Sequence, residues 1–263
     1  MKNRLKWVYA FLIYLFLYAP ILILIIYSFN DSRYRGAWNG FTLKWYVQLF
    51  QDRQIMSALY YTLAVAVISS LIATLLGTAG AIGIHHMKKI KKTVVMNLTH
   101  LPVASPDIVT GLSLMILFIF AKVRLGFASM LLAHITFNTP YVILSVLPKL
   151  KQLDKNLYEA ALDLGATPFY AFQKVILPEI MPGIITGMLL AFTLSFDDFV
   201  ISFFTTGSGV STLSITVYSM ARRGINPKIN AVSTLLFLTV LSLLIVVNKR
   251  MSSQTAHERK NPR

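Results

Sequence analysis

The sequence predicts an all-α membrane protein with six transmembrane helices, and three observations predict it. Only 13% of the 263 residues are charged while 56% are hydrophobic, with a mean hydropathy of +0.63; a soluble domain carries roughly 25% charged residues. The apolar residues gather into long runs without the period-two alternation of barrel strands. The charges sit in the gaps between those runs, not along one amphipathic face. Lipid offers the backbone no hydrogen bonds, so the runs must satisfy their own, and helices do that.

Six segments stand out: Val8–Phe29, Leu59–Ile84, Val94–Phe120, Leu125–Leu147, Gly183–Phe204 and Ala231–Asn248. Each reaches the length of about 20 residues that crosses a ~30 Å hydrocarbon core. The first has a basic start in Lys2, Arg4 and Lys6. Its apolar run exceeds the roughly 7–15 residues of a signal-peptide core, and no small-x-small site follows in Tyr27-Ser28-Phe29-Asn30. It is expected to be a retained first span. With the N-terminus inside, 16 Lys and Arg fall on the inner side and 9 on the outer side. The positive-inside rule then places both termini in the cytoplasm. A transmembrane permease domain is expected over 1–251, with a core of about 55–248, and a disordered cytoplasmic tail over 252–263.

Several function classes are excluded or weakened. The chain has no cysteine, hence no disulfide, thiolate metal site or Cys nucleophile. The net charge of +15 would suit nucleic acid, but its distribution between spans assigns it to topology, and no nucleic acid partner is expected. No Gly-rich loop with a Lys-Ser/Thr pair is present to cradle a nucleotide. A nucleophile elbow and a paired His/Glu metal set are also missing, so neither a catalytic residue nor a metal or cofactor site is expected in this chain. His85, His86, His100 and His134 are scattered and read as structural. A secondary carrier or channel remains compatible with six spans.

The most informative stretch is the polar gap between the fourth and fifth segments, over 149–182. The orientation places it in the cytoplasm. Leu157, Ala160, Ala161 and Leu164 share a helical face, with Asp154, Lys155 and Asp163 elsewhere. Gly165 is expected to end that helix as a C-cap glycine. Thr167 is expected to cap a second helix with Pro168 at its first position, running over Phe169–Ile176 and stopping before Pro178. From the residues alone, this is either a handle for a partner or an amphipathic linker on the membrane surface.

The spacing Glu159-Ala160-Ala161, three residues, Gly165, nine residues, Val175-Ile176-Leu177-Pro178 resembles the cytoplasmic loop of binding-protein-dependent ABC importer permeases. Val175 stands where the family pattern has Ile. The resemblance implies a type I importer (MetI-like) permease fold in a bacterial inner membrane. It implies that Glu159, Ala160, Ala161, Gly165, Leu177 and Pro178 couple the chain to two copies of a separate ATPase, which uses ATP and Mg. It further implies a sister permease and an extracytoplasmic solute-binding protein. Other strings, among them Ser105-Pro106-Asp107-Ile108-Val109 and Thr193-Leu194-Ser195-Phe196-Asp197-Asp198-Phe199, are similar to the polyamine branch of that family. That likeness implies spermidine or putrescine as solute.

Asp107, Asp197 and Asp198 lie inside or at the edge of apolar segments. An Asp at a span centre costs about 2.5–3.5 kcal/mol on insertion scales, so such residues usually face a bundle interior or an aqueous path. They are the candidates for a polycation pathway. For Asp107 the alternative is a helix start, with Ser105 as N-cap and Pro106 at the first position. For Asp197 and Asp198 a role between helices is kept beside the pathway, and the alternative is an intersubunit salt bridge. Trp38, Trp45 and Tyr46 in the first outer loop read as interfacial anchors, or as rings that stack on a cationic solute.

Overall fold

The structure is a computed structural model that describes residues 2–32, 37–223 and 227–260. Arg33 and Arg35, counted above among the outer charges, and the end of the tail lie outside the described residues. The described residues form helices, with one isolated bridge between Asn30 and Phe41. In chain order the helices are α1 (Lys2–Ser28), α2 (Lys44–Gln51), α3 (Arg53–His86), α4 (Lys89–Ala104), α5 (Asp107–Phe120) and α6 (Phe127–Gln152). Then follow α7 (Lys155–Asp163), α8 (Pro168–Ala171), a π-helical turn (Phe172–Ile176), α9 (Leu177–Asp197), α10 (Val200–Thr205), α11 (Leu213–Arg223) and α12 (Lys228–Lys260).

By length and composition, four described stretches can cross a membrane: Lys6–Ser28, Arg53–His86, Phe127–Gln152 and Pro168–Asp197. The other expected spans take different forms. Val94–Phe120 is not one straight span: the chain bends by 107° between α4 and α5. The break follows from Pro106, whose ring disfavours helical backbone at the residue before it; Ser105 is extended, at φ −79° and ψ 144°. Ser105 does not cap α5 either, because its hydroxyl donates back to the Leu101 carbonyl (2.7 Å). Asp107 sits in the first turn of α5, with Pro106 at the cap position. The fifth segment was expected over Gly183–Phe204; it begins earlier, at Pro168, and ends at Asp197, where the chain breaks before α10. The last falls within α12, whose sequence stays apolar as far as Val247, before Asn248 and Lys249. That helix continues to Lys260 through the stretch expected to be disordered, which contains helix formers and no proline before Pro262.

The chain divides into two compact units, Met1–Ala58 with Leu213–Leu241, and Leu59–Thr212 with Ser242–Arg263. In the second unit α6 is the central element, packed along α9. Glycines permit this close approach. A Cβ on Gly77 of α3 would lie 2.6 Å from Val142 Cβ, and one on Gly183 of α9 would lie 2.9 Å from the Ser145 carbonyl. Small residues at such contacts are how helices associate in lipid, where dispersion and not water exclusion drives packing. Ala73, Ala81, Val142, Val146, Leu150, Ile180 and Ala191 complete this core.

In the first unit, α1 exposes apolar side chains on all sides, Trp7 and Phe16 among them, as a lipid-facing helix does. Asn30 organises the loop that follows. Its amide donates to the Ala37 carbonyl (2.7 Å) and its Oδ1 accepts from the Asn39 backbone (2.9 Å). Trp45 is not an exposed anchor: it is 3% exposed, and its indole donates to the Asn30 carbonyl (2.8 Å). The Tyr46 hydroxyl pairs with Ser28 Oγ at the end of α1 (2.7 Å). Both side chains hold the loop together, while Trp38 stays exposed. Asp52 precedes α3 and accepts from Lys228 Nζ (3.0 Å).

Candidate functional site

The polar gap folds as two short helices and a turn. The Asp154 side chain caps α7 by accepting from the Asn156 backbone (3.0 Å). At the other end, Gly165 adopts φ +85°. Its N–H donates to the Leu162 carbonyl (2.9 Å), and the next N–H, Ala166, donates to the Ala161 carbonyl (3.0 Å). This is the paired closure of a Schellman motif. A Cβ at Gly165 would meet nothing within 4 Å. Backbone conformation alone therefore selects glycine here. Thr167 caps α8 by accepting from the Tyr170 backbone (3.4 Å), with Pro168 in its first turn.

The second short helix does not stop before Pro178. It runs through the π-helical turn into α9, so the handle is continuous with a long apolar helix. Pro178 has no N–H to donate to the preceding turn. The π turn absorbs the mismatch, with the Leu177 N–H reaching back to the Phe172 carbonyl. Of the expected coupling residues, Glu159, Ala160, Gly165 and Pro178 are exposed, whereas Ala161 and Leu177 are partly buried. The handle also presents Leu164, Phe169 and Tyr170 outward, with Leu164 89% exposed. Beside them lies a groove of about 510 Å³ lined by Ala161, Leu164, Gly165, Tyr170, Ala171 and Val175. A second cavity of about 500 Å³ lies behind α7, between Glu159, Tyr158 and the ends of α3 and α6.

The acidic candidates separate in the structure. Asp107 and Asp197 have exposed side chains. The Asp198 side chain is 8% exposed and already engaged. It accepts from the backbone N–H groups of Ile201 (3.2 Å) and Ser202 (2.6 Å), capping α10, and faces His134 Nε2 at 3.6 Å. His134 is fully buried. Its Nδ1 pairs with Ser195 Oγ (2.7 Å) and its Nε2 with Ser202 Oγ (3.0 Å). Ser195 accepts from Ser69 Oγ (3.1 Å), which in turn accepts from the Asn138 amide (3.4 Å). Ser69 and Ser195 can donate in turn if Nδ1 accepts and Nε2 carries the proton, which Nε2 then directs toward Ser202 and Asp198. The chain of bonds ties α3, α6, α9 and α10 into one polar layer. The sequence reading missed this layer. The available signal was His134 and Asn138, four residues apart on one face of an apolar segment.

Among the described residues no cluster of His, Asp and Glu is arranged to hold a metal. Outside the spans, the Asp52 carboxyl lies below its usual range: burial pushes it up, but Lys228 and the backbone donors of Ile55 and Gln54 push it further down.

The family described as the binding-protein-dependent transport system inner membrane component matches residues 73–253, taking in α6, the handle and all of the polar layer but Ser69. The chain belongs to this family. It is therefore a permease component of an ABC importer. It is 42% identical over 239 residues to the spermidine/putrescine transport system permease protein PotC of Escherichia coli (strain K12), covering 91% of this chain and 90% of that one. It is also 42% identical over 228 residues to the putrescine transport system permease protein PotI of the same strain, covering 84% and 81%. Among solved structures, a bacterial ABC transporter involved in the import of the acidic polysaccharide alginate matches with a TM-score of 0.67 at 17% identity, over 99% of this permease and 98% of that chain. The MetNI methionine ABC transporter, in inward-facing conformations, matches with a TM-score of 0.60 at 19% identity, over 77% and 98%. Both likenesses concern the fold.

Proposed function

We propose that this permease imports polyamines, spermidine or putrescine, as one half of a pathway completed by a sister permease. Identity to two polyamine permeases over most of the chain supports the solute. The observation that carries the coupling role is the handle itself. An apolar tip of Leu164, Phe169 and Tyr170 stands exposed beside a groove, on a loop whose shape is fixed by Gly165. Large exposed apolar patches mark interaction sites. The occupant is a separate ATPase subunit, present in two copies and using ATP and Mg. Because the handle is continuous with α9, displacement of the tip reaches the apolar helix directly. The handle faces the cytoplasm, the chain resides in the bacterial inner membrane, and an extracytoplasmic binding protein delivers the solute.

Asp107 and Asp197 offer carboxylates to the solute; Asp198 contributes from the start of α10, which it also caps. A polycation entering a negative-inside cell gains about 2.3 kcal/mol per charge per 100 mV, so driving force is not the obstacle. Desolvation is, and carboxylates replace lost hydration. The test is uptake of labelled spermidine by the reconstituted permeases, ATPase and binding protein, with unlabelled solutes as competitors. Polyamines should compete, and amino acids and sugars should not. Uptake unaffected by excess putrescine and spermidine would remove the solute assignment. Failure of the ATPase to co-purify, or an external reporter fused at Phe169, would remove the coupling role.

A further inference from the structure

α2 carries two apolar faces, and the fold uses one of them. Trp45 and Leu49 are buried at 3% each. On the opposite side, Leu43, Val47 and Phe50 follow the i, i+4, i+7 spacing of a single helical stripe. They are 53%, 55% and 61% exposed. Between the two faces lies a polar sector of Lys44, Gln48 and Gln51. So the helix is sorted three ways: protein, water and an uncovered apolar stripe.

The position of α2 along the chain limits what can cover that stripe. The Tyr46 hydroxyl bonds Ser28 Oγ in the last turn of α1 (2.7 Å). Phe29 packs between Phe41 and Tyr46, with ring centroids 5.4 and 5.3 Å away. One residue, Asp52, separates α2 from α3. α2 is thus fastened to the end of one long apolar helix and opens directly into the next. It therefore lies in the chain between the end of one membrane-crossing stretch, Lys6–Ser28, and the start of the next, Arg53–His86. Ile23 and Ile26 near the end of α1 and Phe41 just before α2 are exposed as well, and Phe41 stacks on Phe29.

We infer that α2 is an interfacial helix: Leu43, Val47 and Phe50, with Phe41, enter the outer boundary of the bilayer, while Gln48 and Gln51 face water. The occupant is the region between phospholipid headgroups and the first acyl carbons. Amphipathic helices with separate apolar and polar faces lie in this plane. The lipid contact fixes the depth and tilt of the loop that joins the first two spans. A docking surface for the extracytoplasmic binding protein is the competing occupant.

The absence of cysteine from this chain allows a direct test. Val47→Cys, Phe50→Cys and Gln51→Cys variants are spin-labelled in the assembled importer, in lipid nanodiscs, with cysteines removed from the other subunits. Collision with oxygen, enriched in lipid, is compared with collision with a water-soluble nickel chelate. The expected result is an oxygen-to-nickel ratio severalfold higher at positions 47 and 50 than at 51, unchanged by the binding protein. Equal ratios at all three positions would overturn the inference. So would loss of nickel access and label mobility at 47 and 50 only on adding the binding protein, which would make the stripe a protein-docking face. Assembly of each variant is checked by co-purification with the ATPase, so misfolding is read separately.

Discussion

The handle is a polar loop at the end of the apolar bundle and the polar layer is a set of side chains inside it, and the two use polarity in opposite ways. In the handle, Glu159 and Gly165 are exposed, and a Cβ at Gly165 would touch nothing. Exposed side chains such as Glu159 and Leu164 can be exchanged with little consequence for the fold, so they are free to serve a partner, while Gly165 sets the turn that presents them. In the layer, His134, Asn138, Ser69 and Ser202 are all fully buried and bonded to one another. Each depends on its neighbours, because an unsatisfied polar group away from water costs about 1–3 kcal/mol. One region should therefore report on coupling and the other on stability.

The largest expected effect tests that division. His134→Leu strands the hydroxyls of Ser195 and Ser202 and leaves the buried Asp198 side chain without its facing imidazole. It should destabilise the permease by about 3 kcal/mol. Thermal unfolding in nanodiscs should begin at lower temperature and membrane abundance should fall. Glu159→Ala, in the same assay, should match the unsubstituted protein. If the two variants unfold alike, the contrast between the regions is wrong.

Gly165→Pro should act next most strongly, and on transport alone. Proline is confined to negative φ and would also remove the N–H that closes on Leu162. Uptake and solute-stimulated ATP hydrolysis should both be lost at normal membrane abundance. Gly165→Ala should lose less, because left-handed backbone costs a non-glycine residue about 1–2 kcal/mol and the site has room. Gly165→Asn should lose least, as Asn tolerates that region. Full transport by the proline variant would deny the turn any role in coupling.

The adjacent aspartates carry the contrast into two neighbouring residues. Asp197→Asn should slow polyamine uptake without changing the unfolding temperature. Asp198→Asn should slow uptake and also lower stability by about 1 kcal/mol, through a weakened cap on α10. Indistinguishable thermal profiles would mean that the hydrogen bonds of Asp198 contribute nothing beyond those of its neighbour.

The smallest effect concerns Asp52. Its carboxyl pKa is lower in the folded chain, so the stability it contributes is present above about pH 4 and lost as pH falls through the folded value. The pair with Lys228 is partly exposed to solvent, at 27% and 23%, so its worth is at most about 1 kcal/mol. Asp52→Asn should remove that part of the acid sensitivity and leave uptake at neutral pH intact. An unchanged acid unfolding profile would assign the sensitivity elsewhere.

Much was determined by the sequence alone. Local rules act over a few residues, so the cap at Thr167, the stop at Gly165 and the helical face of Ala160 and Ala161 could be read directly. Hydropathy acts over some twenty residues, so the apolar segments could be read as well, though not their ends or their bend. The sequence treated Asp197 and Asp198 as equals and Trp45 as an anchor. Tertiary structure separated the two aspartates, because the turn after α9 aims one carboxylate at α10 and His134 and leaves the other exposed. It also buried Trp45 against Asn30, joined the handle to α9 through a π turn, and brought Ser69 within hydrogen-bond distance of Ser195, 126 positions away. A hydroxyl's hydrogen-bond partner depends on which helices pack together. That choice rests on where glycines let backbones approach, and it does not follow from the residues flanking the hydroxyl.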